Sequence, residues 1–249
     1  MSLLYLIIIF VICLKFKKIL AYFKRLFTFI IFTFKDIKKE KQLAKQGIKI
    51  FKPFGLTMFT GPQGSGKTIS MVDYCLELKK KYPKSKLYAN FKIDGMDGTL
   101  KNLNQLLKIR NGEDGVIFCI DEIQNEFSTS SSRNFPETML STITQQRKQR
   151  IHIVASSQVF TRVAKPIREQ CYCVVDCRTF WNRWTRIRAY PADEYNSIID
   201  SNAIDKKRKI HCIWKKSFIQ SDELREKYDT YAVVDRMSRS GFAETVTVR

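Results

Sequence analysis

Residues 61–68 read Gly61-Pro62-Gln63-Gly64-Ser65-Gly66-Lys67-Thr68, the Gly-x-x-x-x-Gly-Lys-Thr pattern of a phosphate-binding loop. The pattern dictates its surroundings: a strand leads into it and a helix leaves it. Both flanks are present. Ile48 to Phe59 is extended and rich in apolar residues, and Ile69 to Leu78 reads as a helix. Glycines at 61, 64 and 66 let backbone N–H groups turn inward on phosphate oxygens with no side chain in the way. The helix that follows aims its positive end at the same oxygens. In such a loop Lys67 reaches the β- and γ-phosphates and the Thr68 hydroxyl binds Mg²⁺, so ATP with Mg²⁺ is the expected ligand pair.

The next informative stretch is Val116-Ile117-Phe118-Cys119-Ile120-Asp121-Glu122. An apolar run without alternation predicts a strand buried on both faces of a parallel sheet. It ends in two carboxylates, the Walker B pattern. Asp121 is expected to hold Mg²⁺ through water, and Glu122 to act as general base for the attacking water. Ile151 to Gln158 predicts another strand with a polar end, which places Gln158 to sense the γ-phosphate or orient water.

Further strands are expected at Lys86–Phe91, Cys171–Cys177, Thr185–Tyr190 and Tyr228–Asp235. Helices are expected over Thr99–Ile109 and Pro136–Arg150, with a polar loop at Ser128–Asn134 between the acidic strand and the second helix. Strands interleaved with helices predict a mainly parallel sheet flanked by helices with right-handed crossovers, and with the phosphate loop this α/β pattern resembles a RecA-like P-loop NTPase fold. The Lys206–Lys209 cluster and Trp214-Lys215-Lys216 add positive charge to the back third.

A chain of 249 residues holds one substantial α/β domain plus a small appendage. Its formal net charge of +20 suggests a polyanionic partner, either nucleic acid or an anionic membrane face. Seven cysteines scattered over this length exclude a disulfide scaffold and indicate reduced thiols. Cys171, Cys173 and Cys177, with His211-Cys212, invite a zinc reading. They lack a second Cys-x-x-Cys, and buried thiols are the better account.

The appendage lies at the N-terminus. Leu3 to Leu14 is uninterrupted apolar sequence, about 18 Å long as a helix against a hydrocarbon core of roughly 30 Å. Lys15, Lys17, Lys18, Lys24 and Arg25 follow, then a second apolar run from Leu26 to Phe34. Two arrangements on a membrane fit: a spanning helix from Ser2 to about Phe23 with its lysines snorkelling, or a short insertion followed by a basic helix lying on the surface. A secretory signal fits poorly, because the positive charge follows the apolar core. The same order of charge places the N-terminus outside and the remainder in the cytoplasm. The expected organisation is a membrane anchor and basic juxtamembrane helix at 1–46, an ATPase domain at 47–236 and a flexible tail at 237–249.

With the phosphate loop, Asn90, Asp121-Glu122-Ile123-Gln124, Gln145-Gln146-Arg147 and Gln158 in hand, the chain resembles the Zot-like (zonula occludens toxin N-terminal domain) ATPases of filamentous phages, within the FtsK–HerA class of DNA-pumping motors. The resemblance covers roughly residues 54–190. It implies a sensor role for Gln158 and an arginine supplied across a subunit interface, with Arg147, Arg150, Arg162 and Arg168 as candidates and Arg147 and Arg168 foremost. It implies a homo-oligomeric ring, a hexamer by family pattern, acting on phage DNA. In the family pattern the membrane segment follows the ATPase domain, whereas here it precedes it. Two functions compete: a membrane-anchored motor for DNA packaging or virion extrusion, and an ATP-switched assembly factor that recruits coat proteins or DNA without processive movement.

Overall fold

The computed structural model describes residues 3–47, 49–101, 105–125, 146–200 and 210–229. The Ser128–Asn134 loop, Gln145, most of the helix expected over Pro136–Arg150, the Lys206–Lys209 cluster and the tail fall outside the described residues. The chain divides into two compact units, Met1–Ile50 and Phe51–Arg249.

The first unit is a single helix, α1, Leu3–Lys45. Its apolar side chains from Ile19 to Phe34 are mostly exposed, among them Tyr22 at 70% and Phe34 at 67%. Among the described residues no helix is long and apolar enough to cross a membrane. The spanning reading of Ser2 to Phe23 is therefore not supported. Lys15, Lys17 and Lys18 interrupt the apolar surface before a bilayer's thickness is reached.

The second unit is built on an eight-stranded sheet. Its strands are β1 (Gly55–Thr60), β2 (Lys86–Ala89), β4 (Gly98–Thr99), β5 (Val116–Ile120), β6 (Ile151–Ser157), β7 (Cys171–Phe180), β8 (Trp184–Pro191) and β9 (Trp214–Ile219). They are ordered β4-β2-β5-β6-β1-β7-β8-β9. A separate ribbon pairs β3 (Lys92–Ile93) with β10 (Tyr228–Asp229). Every neighbouring pair from β4 to β7 is parallel. All five residues of β5 are buried, as its unbroken apolar run requires between two parallel neighbours. Leu56, Met58, Phe118 and Ile153 pack on one face of the sheet with Phe160, Val163 and Ile167. Phe59, Ile117, Cys119 and Val154 pack on the other with Met71, Val72 and Cys75 of α2 (Lys67–Lys81).

The far side of the sheet departs from the expected crossovers. β8 runs antiparallel to both of its neighbours, β7 and β9. Only Trp181, Asn182 and Arg183 separate β7 from β8. A parallel return needs a dozen or more residues, so this connection can only be a hairpin. β9 occupies a stretch that reads in sequence as a basic cluster. Of the strand expected at Tyr228–Asp235, only Tyr228–Asp229 is described. The helix expected over Thr99–Ile109 is shorter, Gln105–Lys108, and Thr99 belongs to β4.

An irregularity between Leu56 and Thr57 pairs Leu56 with Cys171 but Thr57 with Cys173. The extra residue on β7 reverses the alternation, so Cys171 joins one core face and Cys173 and Cys177 the other. These thiols do not converge. Burial raises the pKa of all three, that of Cys177 to about 12.

Candidate active site

The parallel register brings the C-terminal ends of β1, β5 and β6 to one edge of the sheet. Ile120 is level with Ala155, and Thr60 with Ser157. The phosphate loop leaves β1 at this edge, and Asp121 and Glu122 leave β5 there, with β6 between them.

The loop's glycines are required for different reasons. Gly61, Gly64 and Gly66 all have positive φ, at 148°, 75° and 82°. A Cβ on Gly61 would lie 2.6 Å from Ser65 Oγ and 2.8 Å from the Cys177 carbonyl. One on Gly66 would lie 2.5 Å from Thr179 Oγ1, whereas Gly64 faces open space. The wall behind Gly66 consists of Thr179, Thr185 and Gln220. Thr179 Oγ1 donates to the Ser65 carbonyl at 3.0 Å, and Gln220 Nε2 donates to Thr185 Oγ1 at 2.8 Å. Lys67 is 7% exposed, and its ammonium donates to the Pro62 carbonyl at 3.2 Å, which folds the side chain over the loop.

Thr68 Oγ1 donates to the Asp121 carboxylate, at 3.2 Å from Oδ2. Ser156 Oγ donates to Asp121 Oδ1 and accepts from the Glu122 backbone N–H at 2.9 Å. Asn90 holds the same backbone from the other side. Its Oδ1 accepts from Asp121 N at 2.8 Å, and its Nδ2 donates to the Asp121 carbonyl at 3.0 Å. Asp121 is 6% exposed. Burial is the chief reason its carboxyl is pushed above the usual carboxylate range. The Ser156 hydrogen bond opposes that push, the Glu122 charge adds to it, and Thr68 and Lys67 oppose it. A hydroxyl beside a buried carboxylate is a hard oxygen donor pair of the kind Mg²⁺ takes beside nucleotide phosphates.

Glu122 has φ 52°, a left-handed conformation that costs a non-glycine residue on the order of 1–3 kcal/mol. Gln124 Nε2 donates to Glu122 Oε2 and fixes the carboxylate from the short helical turn Ile123–Asn125. Gln158 is exposed and follows Ser157 directly, one residue past the pairing with Thr60.

The arginines separate by edge. Arg147 lies over the Phe54 ring at 5.5 Å, just before β1 begins. Arg150 donates to the Phe51 carbonyl at 3.4 Å and pairs with Glu113 at 3.2 Å. Arg168 lies over Phe160 at 5.8 Å and donates to Asn196 Oδ1 at 3.3 Å, in the helix that leads into β7. Residues 147, 150 and 168 thus precede strands, at the edge opposite this chain's own phosphate loop. Arg162 is exposed and follows β6 on the phosphate-loop side.

No sequence signal gives four of the site's partners their role. Ser156 stands in the Ser156-Ser157-Gln158 element of the Zot-like resemblance, with nothing there that points to Asp121. Thr179, Thr185 and Gln220 leave no local signal, because they reach the loop from far along the chain.

A family model described as "ATPase family associated with various cellular activities (AAA)" matches residues 57–177, the span from the phosphate-loop strand through β6 into β7. The chain is a P-loop ATPase. A search of curated proteins finds no significant match for this ATPase. Among solved structures it is similar to the N-terminal domain of zonular occludens toxin from Neisseria meningitidis. That match has a TM-score of 0.50 and 16% identity, covering 70% of this chain and 98% of the other. The two share a fold, as the Zot-like motifs lead one to expect. The genome packaging NTPase B204 from Sulfolobus turreted icosahedral virus 2, in complex with ATP-gammaS, aligns with a TM-score of 0.45 and 10% identity over 56% of this chain and 93% of that one.

Proposed function

We propose that this ATPase is a motor of virion assembly that hydrolyses ATP to move phage DNA, in packaging or extrusion, from a ring of identical subunits at a membrane surface. The observation that carries the reading is the division of labour between consecutive carboxylates. Asp121 is buried against Thr68, while the half-buried Glu122 sits at positive φ with its carboxylate held by Gln124. A site for binding alone needs only the first. The second supplies a base for water, which makes ATP a fuel.

The residues then have these roles. Backbone N–H groups of Gly61 to Thr68 cradle the phosphates, and Lys67 swings from the Pro62 carbonyl to the β- and γ-oxygens. Thr68 and Asp121 would hold Mg²⁺, which when bound would supply neutralisation of the phosphate charge. Glu122 takes a proton from the attacking water. Gln158 orients that water beside the γ-phosphate. An arginine of a neighbouring subunit completes the site. Arg147 and Arg168 are candidates because a partner's opposite edge can face this one, and an arginine so placed contributes about 10³–10⁵ in rate.

DNA as the substrate is supported by the net charge of +20 and by the Zot-like motif set. Attachment to the cytoplasmic membrane face is supported by the exposed Phe, Ile and Leu side chains of α1 interleaved with lysines. Thr28 and Thr33 donate their hydroxyls to the carbonyls of Lys24 and Phe29, both at 2.8 Å, which removes polar groups from that surface.

The test is the ATP hydrolysis rate of the full chain in detergent micelles, with and without single- or double-stranded DNA, across a salt series. Stimulation by DNA that weakens steeply with salt is expected. Slow turnover indifferent to DNA would instead favour an ATP-switched factor that recruits coat proteins.

A further inference from the structure

Trp181 is the most exposed large apolar side chain described, at 81%, and it sits at φ 48° in the turn between β7 and β8. A bulky residue rarely adopts that conformation. The next residue, Asn182, has φ 57°, and a tight hairpin turn takes positive φ at both of its central residues, so the fold itself holds Trp181 in this conformation. Trp181 stacks on Trp184 with ring centroids 5.7 Å apart, and Phe180 lies 6.2 Å from Trp184. Together they form an open aromatic platform at the tip of the hairpin.

The strand face below the platform is basic. In register across β7, β8 and β9, Arg178 is level with Arg186, and Arg188 with Lys215. All four are exposed. Like charges placed directly opposite one another destabilise a sheet. Asp176 is the acid on this face and is paired with Arg178. The helix Ala192–Asp200 covers the other end of the same face, through Tyr195 against Tyr190, and leaves the basic rows open.

We infer that the outer face of the β7–β8–β9 hairpin sheet binds single-stranded nucleic acid. Bases stack on Trp181, Trp184 and Phe180, and phosphates run over Arg186, Arg188 and Lys215. Rings offered edge-free to solvent suit unstacked bases, which a duplex does not present, and the arginine rows suit the backbone that connects them. Thr179 and Thr185, on the reverse side of these strands, form the wall behind Gly66. A strand held on one face thus lies one side-chain layer from the phosphate loop on the other. The inference rests on the reading that the ATPase acts on nucleic acid, and it identifies the contact surface.

The test uses the full chain in detergent micelles and fluorescein-labelled oligothymidylate of about 16 nucleotides, followed by anisotropy over a salt series. Wild type is expected to bind it, with quenching of tryptophan fluorescence. Trp181→Ala with Trp184→Ala should weaken binding about tenfold or more. Arg186→Ala with Arg188→Ala should weaken it and lower the slope of log K against log salt by about 1.4, near 0.7 for each lost phosphate contact. Thermal unfolding midpoints near that of wild type show that the exposed substitutions leave the fold intact. If wild type binds and both double variants bind equally well, the surface is wrong while the nucleic-acid reading stands. If wild type binds neither oligothymidylate nor a duplex, both fail. Loss of binding to phosphatidylglycerol vesicles in the tryptophan variant, with oligothymidylate binding intact, would assign the platform to lipid and overturn the inference.

Discussion

Asn90 and Asp121 are joined by two hydrogen bonds to a single residue's backbone. The Asn90 amide accepts from Asp121 N and donates to the Asp121 carbonyl, at 2.8 Å and 3.0 Å. The residue just past the end of β2 therefore sets the exit angle of the neighbouring β5 and, through it, the position of two carboxylates. Asn90→Ala removes both bonds and leaves buried backbone groups unpaired, at a cost of about 1–3 kcal/mol each. The expected result is a folded protein with near-normal ATP affinity and kcat reduced about 10- to 100-fold, measured by steady-state hydrolysis.

Glu122→Gln keeps the size and the hydrogen-bonding reach of the side chain but cannot accept a proton from water. It should retain ATP in filter binding and hydrolyse it at least 100-fold more slowly, in line with loss of a general base. Lys67→Ala should lose turnover altogether. Normal turnover by Glu122→Gln would remove Glu122 from the chemistry.

The two glycines of the loop that differ in surroundings should differ in tolerance. At Gly66 an added Cβ meets Thr179 Oγ1 at 2.5 Å as well as an unfavourable φ, so Gly66→Ala is expected to abolish nucleotide binding. Gly64→Ala meets only the backbone cost of about 1–2 kcal/mol and should retain weakened binding. Equilibrium titration with a fluorescent ATP analogue distinguishes them.

His152 gives the fold an acid limit. It is 2% exposed, its Nε2 lies 3.3 Å from the Tyr74 hydroxyl, and burial lowers its pKa to about 4. The unfolded chain takes up this proton near pH 6.5, and the folded chain only near pH 4. Folding therefore excludes a proton in that window, and stability falls as pH drops through it, by up to about 3 kcal/mol. Urea denaturation at pH 7 and pH 4.5 should show the loss in wild type and a smaller one in His152→Gln.

The parts of the site that were legible in sequence are local. Gly61 to Thr68 and Asp121-Glu122 each carry their meaning within one strand end, and β5 was readable because both of its faces are buried. What escaped is non-local. Ser156 reaches Asp121 from 35 residues away, and Thr179 reaches Ser65 from 114. β9 was hidden because its inward positions are Trp214, Lys216 and Phe218. A lysine in that row looks like surface until its partners, Asp73 and Glu77 on α2, are known. The apolar content of α1 suggested a span, but the lysines that follow Leu14 leave no apolar stretch among the described residues long enough to support one. Crossovers were expected throughout the sheet, and the three-residue gap between β7 and β8 was the overlooked sign that they end there.

The wall behind Gly66 has an implication for how the protein is made. The phosphate loop is synthesised early, yet Thr179, Thr185 and Gln220 that back it come from the last third of the chain. On the ribosome, the loop emerges long before its support. A nascent chain gains this support only once Gln220 has been translated, so a product that stops before it holds the motif and lacks part of the receptor.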